Sequence, residues 1–384
     1  MDEGQRILQL RGFLEMDPAN VPLACDLFDA LAATGDVEQA VSLLRELPQD
    51  AQADVAIRFR AARGGLMQGR YADAAMLLSG LIEEGHEGVA LWHDLAFAHL
   101  CLRDTAAAGK AVTEAEARLG SCAALDVVAA RIAMMEGDFA RALERLDRAL
   151  GQAPDDMMAQ GVRALALLDG GETDAAFAAA KACLARHSDQ HEALLVAGTV
   201  ALWRQALEES EAYFASALRG HADSGRCLSG LGQVRMLQGR LDEARGLLER
   251  AVAAMPDHIG TWHSLAWTNL LTGNVDAAEA CYSQAYDLDH NFADSHGGLA
   301  LIHVLRGRDD EGELAIKRAL RLDPHCSTAL YARTLLLEAK GRDDDAMHLL
   351  GQLVLPIGLP EGVDLAEFAR VLRARFRQSP PSLH

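Results

Sequence analysis

Two glycine-containing segments have the spacing of nucleotide-binding loops but lack other residues that this chemistry requires. Residues 64–69 have the glycine spacing of a phosphate loop, yet Arg70 and Tyr71 follow where Lys and Ser or Thr should stand. A second pair of glycines ends at Gly232, and Arg235 replaces the last glycine of a dinucleotide fingerprint. Neither segment predicts a phosphate site, because groups that would hold the phosphates are missing.

Histidines are the other residues whose spacing could support chemistry. His187 and His191 lie four residues apart, but we expect a turn between them rather than one shared helix face. His191 and the glutamate after it lack the second histidine of a zinc-protease helix. Five more histidines lie close together in the sequence: His258, His263, His290, His296 and His303. They could form a pH-sensitive or metal-binding patch, with surface and packing roles as the alternative. We predict no catalytic residue, no metal site and no cofactor, and therefore no enzyme.

The net charge is strongly negative. The 384 residues include 36 Lys and Arg against 56 Asp and Glu, a formal net charge of −20. A nucleic-acid-binding protein needs a basic surface to displace the counterions of the phosphate backbone, and docking on anionic lipid needs one as well. We therefore expect neither nucleic acid nor a membrane as the partner. With 50% apolar residues, the chain should fold rather than remain disordered.

Cysteine usage and the N-terminal residues predict a cytoplasmic location. The seven cysteines are odd in number, widely spaced and never arranged as Cys-x-x-Cys. We expect reduced thiols rather than a disulfide framework or a zinc ribbon. The first residues lack the basic and apolar regions of a signal peptide. The longest uncharged stretch, residues 346–360, is shorter than the ~20 residues that a membrane span needs.

A 34-residue period runs through the sequence and determines where every other residue should lie. Its markers are Gly35, Gly69, Gly137, Gly171, Gly239, Gly273, Gly307 and Gly341. Arg103 and Gln205 occupy the two skipped positions. Small residues predominate in three further columns, five residues after each marker, seven before and twelve after, as at Ala278, Ala266 and Ala285. The second column is interrupted by Phe28 and Thr334, and the third by Leu47, Leu81 and Leu353. Ten periods run from residue 21 to residue 360 without an insertion or deletion.

Each period predicts two antiparallel helices. Apolar residues at helical spacing, such as Trp262 and Leu265, precede Gly273, and a second helical pattern that includes Tyr282 follows it. Glycine at this position can adopt the left-handed conformation that ends a helix. The small columns let the two helices approach to near the lower limit of ~8–10 Å. One pair cannot bury its apolar face alone, so we expect successive pairs to stack.

The columns resemble the tetratricopeptide repeat. That pattern favours Trp, Leu, Gly or Ala, Tyr, Gly, Ala, an aromatic or aliphatic residue, Ala and Pro at slots 4, 7, 8, 11, 15, 20, 24, 27 and 32, counted here from residue 21. The period 259–292 matches best, at Trp262, Leu265, Ala266, Gly273, Ala278, Tyr282 and Ala285. Slot 4 departs in most periods, and slot 11 never holds Tyr. The resemblance implies an all-α fold, a right-handed superhelical solenoid of about ten 34-residue helix-turn-helix repeats with capping helices at both ends.

The residues outside the ten periods are predicted to form the two ends of the array. Residues 1–20 are predicted as an N-terminal capping helix from a truncated repeat, and residues 21–360 as ten tandem repeats. Residues 361–384 are predicted as an amphipathic capping helix, over residues 364–376, and a short tail. Because terminal repeats need a polar outer face, this helix is expected to cap the array. The alternative is a basic helix that docks on an acidic partner.

The resemblance also implies that the first helix of each period lines a concave groove, through slots 2, 5, 9, 12 and 13. These slots are unusually apolar here, and arginines accompany them. The predicted groove residues are Phe59, Arg60, Arg63, Phe97, Arg131, Met134, Met135, Trp203, Gln233, Met236, Trp267 and Tyr331. Phe97, Trp203 and Trp267 would anchor an apolar ligand, and the three arginines would orient its carboxylates. Alternatively, tight coiling of the array buries slots 12 and 13.

The repeats leave no room for a catalytic domain, because ten periods occupy 340 of the 384 residues. We therefore predict a non-enzymatic adaptor or scaffold that binds an apolar or amphipathic peptide or protein segment in the concave groove. The alternatives are a regulatory or substrate-recruiting subunit of an enzyme complex and a bacterial factor for secretion or pilus assembly. The partner is a protein or peptide, and the sequence leaves the oligomeric state open.

Overall fold

The computed structural model describes residues 3–354, which fold into α-helices joined by short connections. Within them lie 22 helices and no strand. The helices are α1 (Glu3–Met16), α2 (Val21–Ala33), α3 (Val37–Glu46), α4 (Gln49–Gln52), α5 (Val55–Met67), α6 (Tyr71–Glu83), α7 (Val89–Cys101), α8 (Thr105–Leu119), α9 (Ala123–Met135), α10 (Phe139–Gln152), α11 (Met157–Asp169), α12 (Thr173–Leu184), α13 (His191–Trp203), α14 (Leu207–Gly220), α15 (Gly225–Leu237), α16 (Leu241–Ala254), α17 (Ile259–Leu271), α18 (Val275–Leu288), α19 (Ala293–Leu305), α20 (Asp309–Leu322), α21 (Ser327–Ala339) and α22 (Asp343–Val354). The predicted C-terminal capping helix, residues 364–376, lies outside the described residues.

The helices follow the 34-residue period. The first helix of each pair has 13 residues and begins 34 residues after the previous one: α2, α5, α7, α9, α11, α13, α15, α17, α19 and α21. A second helix begins 16 residues after each of these starts, from α3 at Val37 to α22 at Asp343. The short helix α4 is the one addition to this scheme between α2 and α22. The predicted all-α helical repeat is therefore confirmed.

The turn within each pair depends on one residue in the left-handed conformation. The glycine at slot 15 has φ between 69° and 89° in the eight periods that contain it. Arg103 and Gln205, which replace this glycine in two periods, adopt the same conformation with φ of 62° and 59°. The turn therefore keeps its geometry even where a Cβ crowds the backbone, at a cost in conformational energy.

Short polar side chains begin several of the second helices. Asp36, Asp104, Asp138 and Asn274 precede α3, α8, α10 and α18, and each accepts a hydrogen bond from the backbone N–H three residues later. Such a cap satisfies one of the amide groups that the first turn of a helix leaves without a carbonyl partner. In these four pairs the residue after the left-handed turn residue, which is glycine in three of them and Arg103 in the fourth, thus caps the second helix.

The small-residue columns lie in tightly packed interfaces. Ala142, Ala244 and Ala278, at slot 20, are fully buried. Gly312 occupies the same slot in α20, and a Cβ built on it would lie 2.8 Å from Val304 Cγ2 in α19. Because that distance is shorter than real Cβ contacts, the two helices of this pair pack too closely for a larger side chain. Close approach of the paired helices is the packing that the sequence predicts.

By their contacts, the helices form two compact units, Met1–Ala193 (unit 1) and Leu194–His384 (unit 2). Two apolar clusters of unit 1 are built around Phe28 and Trp92. An apolar cluster of unit 2 surrounds Tyr282, whose ring is fully buried. Within each unit, second helices also pack on the first helix of the next pair, such as α6 on α7 and α16 on α17. Each unit is therefore a stack of helix pairs.

Candidate protein-binding surface

The first helices of successive pairs form one layer in unit 1. Helix α5 contacts α7, α7 contacts α9, and α9 contacts α11. In unit 2, α15 contacts α17 and α19 contacts α21. We call the outer side of this layer in unit 1, with Arg63, Met67, Phe97, Arg131 and Met135, the first-helix surface.

Large apolar residues at the ends of the first helices are exposed. In unit 1, slot 13 holds Met67 and Met135, which are 50% and 45% exposed. In unit 2, the same slot holds Trp203 and Leu237, which are 59% and 56% exposed. The residue before them, at slot 12, is buried or half-buried, as at Leu202. Packing therefore buries slot 12, but it leaves slot 13 open to solvent at these four positions.

A cavity of about 360 Å³ opens between the first helices of unit 1. Its apolar lining comes from α5, α7, α9 and the start of α11: Leu66, Met67, Phe97, Ala124, Val127, Val128 and Met158. Its charged and polar lining consists of Arg63, His93, Asp94, Arg131 and Asp156. Of the predicted groove residues, the structure thus brings Arg63, Phe97 and Arg131 together around one space.

Ring stacking and hydrogen bonding fix the side of the cavity that α7 contributes. The His93 and Phe97 rings stack nearly parallel, with centroids 6.5 Å apart. His93 Nδ1 lies 2.9 Å from Asp94 Oδ1. Asp94 is buried, and its Oδ2 has no hydrogen bond within the described residues. The nearest cation is Arg63, whose Nε lies 3.6 Å from that oxygen, too far for a good hydrogen bond. This carboxylate oxygen is therefore enclosed by the protein, with the Arg63 guanidinium as its nearest positive charge.

The three arginines of the predicted groove are all ion-paired within the chain. Besides the pair of Arg63 with Asp94, Arg60 donates two hydrogen bonds to Asp29, from Nε at 3.1 Å and Nη2 at 2.6 Å. Arg131 donates from Nη2 to Glu192 Oε1. The sequence analysis did not anticipate these carboxylate partners. A ligand carboxylate would therefore share these guanidinium groups with an existing partner.

The pair between Arg131 and Glu192 is the most buried of the three. Burial alone would raise the pKa of Glu192, but the charge and hydrogen bond of Arg131 and a hydrogen bond from Gln190 hold this pKa below its usual value. Gln190 Nε2 donates to Glu192 Oε2 at 2.6 Å, and Gln190 Oε1 accepts from the backbone N–H of Ala193. Glu192 is therefore ionised at neutral pH and holds the Arg131 side chain in place.

Phe59 and Arg60 lie at a different cavity of unit 1. It measures about 420 Å³ and lies between the start of α5, the end of α6 and the start of α7. Phe59 also packs against the apolar cluster around Trp92. Met134 likewise packs against an apolar cluster, that of α9, α10 and α11. The structure therefore divides the predicted residues of unit 1 among two cavities, the core and, for Met135, the exposed surface.

In unit 2, two of the predicted anchors come together. The Trp267 and Tyr331 rings have centroids 6.4 Å apart, and both pack against the apolar cluster around Tyr282. Gln233 Nε2 donates to Ser229 Oγ at 3.3 Å, and Met236 is half-buried. Trp203, in contrast, is mostly exposed. Trp267 and Tyr331 therefore also stabilise packing, whereas Trp203 is free to contact a ligand.

Most residues that line the cavity of about 360 Å³ are not in the predicted groove set, and Asp94 and Met158 illustrate two reasons. Met158 is 40% exposed and stands at slot 2 of its period, one of the slots that the resemblance assigns to the groove. Reading slot 2 across neighbouring periods would therefore have found it. Asp94 stands at slot 6, which no groove rule includes, and only the side-chain geometry places it at the cavity.

Within residues 3–354, no three His, Cys, Asp or Glu side chains lie close enough together to hold a metal ion. None of the helices described here has both the length and the apolar character that crossing a bilayer requires.

Comparison with protein families identifies the repeat. A family model described as tetratricopeptide repeat matches residues 127–191, 162–225, 265–324 and 310–358, together half of the chain. A second model with the same description matches residues 223–291. Comparison with curated proteins gives no match.

Solved structures with a similar fold include two long helical-repeat chains. A monomeric mutant of IFIT1 with Gppp-AAAA has a TM-score of 0.56 and 17% identity, over 98% of this chain and 95% of the other. A chain of the APC/C hetero-tetramer Cut9–Hcn1 has a TM-score of 0.51 and 14% identity, over 96% of this chain and 87% of the other. At such identities the similarity shows the fold alone. The period, the paired helices and the family matches agree, and this chain belongs to the tetratricopeptide repeat family.

Proposed function

We propose that this chain is a non-enzymatic adaptor or scaffold that binds an apolar or amphipathic segment of another protein on the first-helix surface. Tetratricopeptide repeats indicate a protein–protein interaction scaffold. The observation that carries the finer proposal is the cavity of about 360 Å³ beside exposed Met67 and beneath Phe97. Exposed apolar surface next to a concave site commonly marks an interaction site.

The lining of this cavity favours a particular kind of ligand side chain. An apolar group would pack against Phe97, Val127 and Met158, and Met adapts to varied ligand shapes. The Asp94 carboxylate, buried among the lining residues, gives this part of the cavity a negative charge that favours a cationic or polar group over a carboxylate on the ligand. Because the surface is built from packed helices, little conformational entropy is lost on binding.

Protein rather than nucleic acid is the proposed ligand. The IFIT1 structure contains Gppp-AAAA, but that describes IFIT1 and not this chain. Here the net charge is −20, and Arg60, Arg63 and Arg131 are already paired with carboxylates. Few positive charges therefore remain on the first-helix surface for a phosphate backbone. A gel shift with single-stranded RNA at about 150 mM salt should give no complex.

We also propose that the protein is cytoplasmic. Two alternative roles are a subunit of an enzyme complex and a factor for secretion or pilus assembly. Each of these roles would use the same binding surface. A catalytic chain that co-purifies in fixed ratio would favour the first role over a free-standing adaptor.

The test of the proposal is peptide selection with matched variants. A displayed peptide library is selected on the full chain, and the enriched peptides are assayed against Phe97→Glu and Met76→Glu. Phe97 lines the cavity, whereas Met76 is 69% exposed on α6, a second helix. We expect apolar or amphipathic peptides whose binding is lost with Phe97→Glu and kept with Met76→Glu. Equal loss in both variants, or in neither, contradicts the proposal.

A further inference from the structure

A separate cavity in unit 2 lies between two second helices, α18 and α20, with α19 beneath them. It measures about 240 Å³ and is lined by Tyr286, His290, Asn291, His296, Arg318, Arg321 and Leu322. This volume is roughly eight times that of a water molecule in the liquid, which is enough for a small anionic group. An adjoining cavity shares Tyr286, His296 and Arg318 with it.

The two histidines of this cavity are held in place by ring contacts and by backbone carbonyls. The Tyr286 ring centroid lies 4.4 Å from that of His290 and 5.2 Å from that of His296. His290 Nδ1 lies 2.7 Å from Tyr286 O, and His296 Nε2 lies 2.8 Å from His290 O. A carbonyl oxygen only accepts, so each of these nitrogens is the donor. The second nitrogen of each ring therefore donates only when the imidazole is protonated.

The two arginines of this cavity are unusual because nothing described neutralises them. Within residues 3–354, the side chains of four Arg or Lys residues make neither an ion pair nor a hydrogen bond. These residues are Arg45, Arg318, Arg321 and Arg333. Two of these four line the same small cavity. Both side chains are exposed, so their guanidinium groups are accessible to an anionic ligand.

Local helix electrostatics account for only part of this arrangement. Arg321 lies in the last turn of α20, where the helix dipole favours a cation. Arg318 lies three residues earlier, and like charges at that spacing repel each other. Three carboxylates lie in or next to the residues that line the two cavities, those of Asp289, Glu311 and Asp323, and none of them forms an ion pair with Arg318 or Arg321. An external anion would relieve the repulsion between the two guanidinium groups.

We propose that this cavity binds a phosphoryl group carried by a serine or threonine side chain of a partner protein. Two guanidinium groups match the charge of a phosphoryl dianion and can donate bidentate hydrogen bonds to its oxygens. His290 and His296 add donors when protonated. Leu314 and Leu322, 56% and 42% exposed, flank the two cavities and offer apolar contacts to the peptide around the phosphoryl group. Those contacts favour a modified protein segment over a free ion.

The first arm of the test uses inorganic phosphate and the full chain. Phosphate replaces chloride at constant ionic strength, and the ring resonances of the histidines are followed by NMR. We expect saturable shifts of the His290 and His296 rings, with those of His221, which lies outside the cavity, unchanged. The variant Arg318→Gln/Arg321→Gln should weaken this binding by about tenfold or more, since it removes the charge-assisted hydrogen bonds.

The matched control is Arg45→Gln/Arg333→Gln, which removes two equally unpaired arginines and the same net charge elsewhere. It should weaken phosphate binding less than about twofold, because neither arginine lines the cavity and exposed charges that make no contact with the ligand are partly screened by salt. Equal weakening in both double variants would mean that phosphate responds to net charge only. That result, or the lack of a saturable shift, would overturn the proposal.

The second arm identifies the source of the phosphoryl group. Fluorescein-labelled peptides of one sequence, with phosphoserine, serine or glutamate between two leucines, are titrated by fluorescence anisotropy. We expect the phosphoserine peptide to bind more tightly than inorganic phosphate and at least about tenfold more tightly than the other two peptides. If the glutamate peptide binds as well, the phosphoryl assignment is wrong. If the phosphoserine peptide binds no better than inorganic phosphate, the assignment of the phosphoryl group to a partner protein is wrong. Neither result depends on the first-helix surface.

Discussion

Replacing Gln205 with glycine should stabilise unit 2. Gln205 has φ of 59° at the turn between α13 and α14, where eight other periods have glycine. The backbone N–H of Gln205 bonds to Leu202 O at 2.9 Å, and glycine would make the same bond. The Gln205 side chain is exposed and makes no hydrogen bond to the described residues, so its removal costs no contact there.

The size of the effect follows from two opposing contributions. The left-handed conformation costs an L-residue roughly 1–2 kcal/mol, because Cβ crowds the carbonyl oxygen, and glycine avoids this cost. Glycine also loses more conformational freedom on folding, which opposes the gain by about 0.5–1 kcal/mol. The free energy of unfolding should therefore rise by about 0.5–1 kcal/mol in Gln205→Gly.

Hydrogen exchange is the decisive assay, because repeat arrays need not unfold as one cooperative unit. Amides of α13 and α14 should exchange about two- to fivefold more slowly in Gln205→Gly, whereas those of α5 and α6 should not change. Urea unfolding followed by circular dichroism gives the global free energy of unfolding.

Gln205→Ala is the matched control, since it removes the amide group but keeps the Cβ. It should not slow exchange, because alanine has the same steric conflict at positive φ. The reasoning is refuted if alanine stabilises as much as glycine, or if glycine speeds exchange in α13 and α14.

Two further predictions concern packing and pH. Ala142→Leu, in a fully buried slot of α10, should destabilise unit 1 by roughly 1–3 kcal/mol through overpacking, whereas Ala140→Leu, on the exposed side of the same helix, should be nearly neutral in urea unfolding. Equal tolerance of both would contradict close helix approach. Hydrogen bonds from Arg235 and Gln238 lower the pKa of Glu211 to about 2. Its contribution is present above the unfolded pKa of about 4.3 and lost as pH falls towards about 2, so Glu211→Gln should flatten the acid dependence of stability in this range. An unchanged pH dependence in Glu211→Gln would show that this carboxylate does not contribute to the acid dependence of stability.

The backbone was largely predictable from the sequence because it depends on local rules. Left-handed glycines such as Gly273 end the first helices, and fully buried residues such as Ala278 permit close packing. Both constraints act at fixed positions within one period. The same rules locate Arg103 and Gln205 at the turn. They do not predict that a residue with a Cβ adopts the same left-handed conformation as glycine there.

The side-chain geometry of the site was only partly predictable. Counting slots put Phe97 and Arg131 on the first helices, and these residues do share a cavity. The partner of Arg131 is Glu192, 61 residues away, and such a pair depends on rotamers and on stacking across periods. Tyr286 and His296 meet across the turn between α18 and α19, which slot counting treats as separate faces.

Photo-crosslinking in the cell of origin tests the central claim most directly. p-Benzoylphenylalanine is placed at Phe97, on the first-helix surface, and separately at Met76, on a second helix. The account predicts a crosslinked adduct with another polypeptide from position 97 and none from position 76. An adduct from position 76 alone would contradict it, and so would adducts of equal yield from both positions.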